Sequence, residues 1–110
     1  MANIHRGEVD LALADQTLTL RLTLQGLAEL ESAFGVADLT GLGTRFSQGN
    51  LGTNDIVKIL GIALRGGGLN KSDSEIASLI PASSLPEVIA AIAQVLALTF
   101  GVAQSSSNPN

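Results

Sequence analysis

The sequence predicts an α+β domain that is mostly helical, an N-terminal antiparallel β-hairpin followed by about five short α-helices. Three observations carry this. Leu18, Leu20, Leu22 and Leu24 alternate with Thr17, Thr19, Arg21 and Thr23, the period of two that marks a half-buried strand. After Leu24 the period changes, and Leu27, Leu30 and Phe34 recur at i, i+3 and i+7 as one helical stripe. Further along, Gly35, the Gly66-Gly67-Gly68 run and Pro81 each stop a helical pattern.

Met1 to Arg6 is a polar lead-in. Gly7 to Ala14 reads as the first strand, with Val9, Leu11 and Leu13 on one face and Glu8, Asp10 and Ala12 on the other. A two-residue loop at Asp15-Gln16 pairs Leu13 with Leu18, Leu11 with Leu20 and Val9 with Leu22, and puts every large apolar side chain on one side. It also sets Asp10 opposite Arg21. Asp-Gln is a poor two-residue turn, so a four-residue loop from Ala14 to Thr17 in the same register is the alternative. The first helix is expected from about Gln25 to Phe34, ended by Gly35 as a left-handed C′ residue.

A second helix is expected from Leu39 to about Ser47, capped by Asp38, with Leu39, Leu42 and Phe46 as its stripe. Gly41 and Gly43 weaken it by roughly 1 kcal/mol each relative to alanine. The third helix runs from Thr53 or Asn54 to Arg65 and buries Ile56, Ile59, Leu60, Ala63 and Leu64. Ser72 with Glu75 forms a capping box that opens a fourth helix, with Ile76, Leu79 and Ile80 inward. Ser84 with Glu87 suggests another box at the start of the fifth. From Val88 to Phe100 only Gln94 and Thr99 are polar, so this helix is either buried on all sides or shared with a partner. That run falls short of the about 20 apolar residues that span a bilayer. Residues 1–103 are expected to form a single domain, and 104–110, QSSSNPN, a disordered tail.

With 110 residues the chain can bury one core. Aromatic residues are only 3%, with no Trp or Tyr, so the core must come from Leu, Ile, Val and Ala. The net charge of -4, with 6 Lys and Arg, lacks the basic footprint of a nucleic-acid binder. There are no cysteines, which excludes disulfides, thiolate metal sites and cysteine nucleophiles. MANIHRGEVD has no apolar signal region, so cytoplasmic synthesis is the expectation.

No catalytic, cofactor or metal site emerges. His5 is the only histidine and lies far from any acidic pair. Glu29 and Glu31 are two apart and point to different sides of their helix. Gly41 and Gly43 lack the remaining dinucleotide fingerprint, and the Gly66 run with Lys71-Ser72 lacks the spacing of a phosphate loop. No nucleophile, base and oxyanion donor can be assembled, so an enzyme is not expected.

Four segments instead carry a resemblance. They are Asn3 to Val9 (NIHRGEV), Leu20 to Gly35 (LRLTLQGLAELESAFG), Asp55 to Gly67 (DIVKILGIALRGG) and Lys71 to Glu75 (KSDSE). In this order and spacing the chain resembles the tail assembly chaperone family of tailed phages, in its gene transfer agent form. The resemblance implies a small α+β protein that holds the tape measure protein soluble and promotes assembly of tail tube protein around it. It also implies that relatives can be made in a longer, frameshifted form. The Asp15-Gln16 turn departs from the Gly that relatives often carry, and the last helix is unusually apolar. The alternative is a structural minor tail or head-tail component of the particle.

Such a role needs apolar surface. The expected partner-binding residues are Leu39, Leu42 and Phe46 on the second helix and Val95, Leu96 and Leu98 on the last. The outer edge of the hairpin is a third candidate, and it also allows a homo-oligomer. No nucleic acid and no membrane is expected as a partner.

Overall fold

The structure, a computed structural model, describes residues 7–13, 15–35, 45–46, 48–49 and 51–100. Its elements are β1 (Val9–Ala12), β2 (Thr17–Leu20), α1 (Leu24–Phe34), α2 (Thr53–Gly66), α3 (Asp73–Leu79) and α4 (Leu85–Phe100). A 3-10 turn, Ala82–Ser84, leads into α4. This is the α+β, mostly helical arrangement that the sequence predicts. Of the expected helix from Leu39 to Ser47, only Arg45 and Phe46 are among the described residues, and both are helical.

The hairpin register differs from expectation by two residues. Leu11 faces Leu18 and Val9 faces Leu20, so Asp10 lies opposite Thr19 and not Arg21. The ladder closes where the Leu13 N–H donates to the Gln16 carbonyl, 2.8 Å away, which moves the turn back one residue to put Asp15, not Gln16, at its tip. An offset of two leaves every side chain on its expected face. Val9, Leu11 and Leu20 are accordingly buried, and Leu18 is half-buried.

The chain leaves the hairpin beyond Leu20. The Arg21 N–H donates not to β1 but to the Ala63 carbonyl of α2, at 2.9 Å. Two residues later Thr23 caps α1, its Oγ1 accepting from the Gly26 N–H at 3.0 Å. The strand ends at Leu20. Leu24 becomes the first residue of the helix and is 84% exposed, where the strand pattern had placed it inside. Gly35 ends α1 at φ 64°, in the left-handed region expected of it.

Helix α2 is the centre of the core. Every residue from Ile59 to Leu64 is buried, because β2, α1, α3 and α4 all pack around it. Its buried face includes Ile62, which the sequence stripe omits, while Ile56 is only half-buried. Arg65 lies in its last turn, where a cation meets the negative helix end. The glycines beyond do more than stop it. A Cβ on Gly66 would overlap the Arg21 carbonyl, and one on Gly67 the Thr19 carbonyl. Bare backbone thus lets the end of α2 lie against the outer edge of β2. That covers an edge expected to be open.

Helix α3 starts as expected. Ser72 Oγ accepts from the Glu75 N–H at 3.2 Å, and Glu75 Oε1 accepts from the Ser72 N–H at 2.8 Å. Helix α4 does not use its Ser84–Glu87 box. The 3-10 turn supplies the entry, with the Ser84 N–H donating to the Pro81 carbonyl at 2.9 Å. Val88, Ala91, Ile92, Val95 and Leu96 then face β1 and α2 at i, i+3, i+4, i+7 and i+8. Every buried core side chain among the described residues is Leu, Ile, Val or Ala, and Phe34 and Phe46 pack at the margin.

Gly67→Ala is expected to lower stability by about 1–3 kcal/mol, since a methyl must be forced between two backbones. Gly66→Ala should do the same although alanine is the better helix former. Urea denaturation checks both, and a gain in stability would contradict the close approach.

Candidate functional site

The expected partner-binding residues separate into three groups. Leu39 and Leu42 lie outside the described residues. Phe46 is half-buried and packs against the core. Val95 and Leu96 are 0% and 3% exposed, so they are core residues in this fold. Leu98 is 38% exposed and is the one of the three α4 candidates that faces out.

Two further α4 residues, Leu85 and Ile89, are exposed to a similar degree. Four residues apart, they form a short apolar row on one flank of the helix. Ile89 and Leu98 are nine residues apart, about 180° round the helix. They therefore border the buried stripe on opposite sides and do not make one patch. Nothing local in the sequence separates these residues from Val95 and Leu96. Leu85, Ile89, Ile92 and Leu96 make as good a stripe as Val88, Ala91, Val95 and Leu98. Only the position of β1 and α2 decides which is inside.

The helical stretch Ala82–Thr99 has a mean hydropathy of 1.5 over 18 residues, long and apolar enough to cross a membrane by length and composition. That is longer than the Val88 to Phe100 run suggests. In this fold five of its residues are used to cover β1 and α2. Its half-buried Thr99 donates to the Val95 carbonyl at 2.7 Å and so satisfies itself within the helix.

Four charged side chains, Glu29, Lys58, Arg65 and Asp73, converge where α1, α2 and α3 meet. Asp73 Oδ2 is 2.9 Å from Lys58 Nζ, and Asp73 Oδ1 is 2.9 Å from Arg65 Nη1. Arg65 Nη1 also donates to the Lys71 carbonyl at 3.1 Å, and Nη2 is 4.0 Å from Glu29 Oε1. Burial works to raise the Asp73 carboxyl, but hydrogen bonds from Lys58 and Arg65, and then their charges, hold it below the ordinary aspartate value. Glu75 is also held low, by the Ser72 backbone N–H and then the Ser72 hydroxyl. An open groove of about 310 Å³ between α1 and α2 is lined by Glu29, Ser32, Ala33, Lys58, Ile62 and Arg65. Its charges already face one another across the helices, and no nucleophile and base are paired in it. Among the described residues no three acidic or histidine side chains are grouped to hold a metal ion. His5 lies outside the described residues.

The fold is thus a small, mostly helical α+β domain, with an ion-pair cluster joining three helices and apolar residues flanking its last helix. The family described as phage tail tube protein, GTA-gp10, matches residues 6–102, and the chain belongs to that family. The match runs from before the first strand to beyond the last helix. It supports the gene transfer agent and phage tail resemblance, though not the chaperone branch in particular. No curated protein and no solved structure matches the chain.

Leu96→Asp is expected to unfold the protein, because it buries an unpaired carboxylate in the core. Ile89→Asp and Leu98→Asp should fold with stability within about 0.5 kcal/mol of the parent. Circular dichroism with urea denaturation separates the two outcomes.

A second expectation concerns acid. The Asp73 carboxyl is lower in the folded state, so its contribution to stability is present above the unfolded value near 3.8. It is lost as the pH falls through the folded value. Asp73→Asn should be less stable than the parent at neutral pH and should lose less stability on acidification below about pH 4. Equal pH slopes for the two proteins would contradict this.

Proposed function

We propose that the chain is a structural component of a phage or gene transfer agent tail, working by protein–protein contact and without a catalytic role. The observation that carries this is the family match over residues 6–102, which takes in the whole described fold. The site chemistry supports it, since the Glu29, Lys58, Arg65 and Asp73 cluster is engaged in joining helices. In this reading the chain is made in the bacterial cytoplasm and contacts tail tube subunits or further copies of itself. The Leu85–Ile89 row and Leu98 are the surfaces offered for contact.

A second reading is the tail assembly chaperone, which holds the tape measure protein until the tube forms around it. Its support is the apolar side chains left outward on α4, which an apolar client could cover. Quantitative mass spectrometry of purified particles tests the first reading against the second. A structural component should be present in fixed ratio to the tube subunits. Absence from particles, with a soluble complex of this chain and the tape measure protein on co-expression, would overturn the structural reading in favour of the chaperone.

A further inference from the structure

Helix α3 has seven residues, too few to be stable alone. Ser74, Glu75, Ala77 and Ser78 face solvent, and only Ile76 is fully buried. Upstream, the Leu69 N–H donates to the Leu64 carbonyl at 2.9 Å, so the chain stays tied to α2 as far as Leu69. Asn70, Lys71 and Ser72 are then exposed, and Pro81 interrupts the backbone at the other end.

The other anchor is Asp73. It sits directly on Gly61, in the buried middle of α2, where an added Cβ would overlap its carboxylate. Lys58 and Arg65, seven residues apart on the same face of α2, close over it from the two sides. Arg65 also grips the Lys71 carbonyl, so one guanidinium holds both α3 and the segment that leads into it. Glycine at position 61 costs α2 helix stability, and the seat for Asp73 is the return visible in the structure.

We propose that α3 is a releasable strap, with Asp73 seated on Gly61 between Lys58 and Arg65 as its latch. Opening the latch frees residues 73–80 while β1, β2, α1, α2 and α4 stay folded. It bares Ile76 with the half-buried Leu79 and Ile80, an apolar surface that the closed chain does not offer. The latch charges are partly exposed to solvent, so added salt screens them and favours opening.

Native-state hydrogen exchange on the intact chain tests this. Backbone amides of the strap, Ile76 in α3 and Ile80 just after it included, should exchange at least about tenfold faster than those of Ile59 to Leu64, and faster still in about 0.5 M salt. Gly61→Ala fills the seat while improving α2 as a helix. It should speed exchange in α3 while leaving or slowing exchange in α2, a split that general destabilisation would not give. Asp73→Asn should speed α3 exchange and remove most of its salt response, and it serves if the alanine variant does not fold. The proposal is overturned if α3 and α2 exchange at one common rate in the parent, or if Gly61→Ala slows both.

Discussion

The end of α2 lies against the outer edge of β2 with only backbone between them. The Arg21 N–H meets the Ala63 carbonyl, and Gly66 and Gly67 bring bare backbone to the Arg21 and Thr19 carbonyls. The Ala63 carbonyl already accepts from the Gly67 N–H at 3.0 Å, and its second lone pair takes the strand donor. The Arg21 N–H, which faces away from β1, is thereby satisfied by the helix. A two-stranded hairpin of four residues a side is not stable alone. Here one of its edges is taken by a helix end, and α4 packs on β1. Just beyond this contact Thr23 begins α1, which packs on α2. The remaining packing follows from α2 being held at that angle, with its buried run from Ile59 to Leu64 reached from every side.

Charge and apolar surface are divided between different parts of this molecule. The ion-pair cluster lies where α1, α2 and α3 meet and holds the short helix in place. The outward apolar side chains lie mainly on α4, which has only one core-facing stripe but is apolar nearly all round. A protein that works within an assembly needs this second feature and not a reactive group. Membership of the tail tube family accords with that division.

Much of the fold was legible because its signals are local. The alternation of Leu18 and Leu20 with Thr17 and Thr19, the left-handed Gly35 and the Ser72–Glu75 box each depend on neighbours within a few residues. The hairpin register was not, because the turn chemistry around Asp15 is weak, and the partner of the Arg21 N–H, the Ala63 carbonyl, is distant in sequence. The roles of Gly61 and of Gly66-Gly67 were hidden for the same reason: a glycine's purpose lies in what approaches it. On α4 the stripes overlap, so Val95 and Leu96 looked as available as Leu98 until β1 and α2 were in place. The site was therefore less legible than the fold. Composition indicated that apolar surface was to spare, but not which side chains would carry it.

Under the proposed function this chain is built into a tail. Immunogold electron microscopy of intact particles, with antibody raised against the folded protein, tests it most directly. Label on the tails, lost when the gene is deleted, is the predicted result. Label confined to unassembled protein in lysates, with bare tails, would contradict the claim.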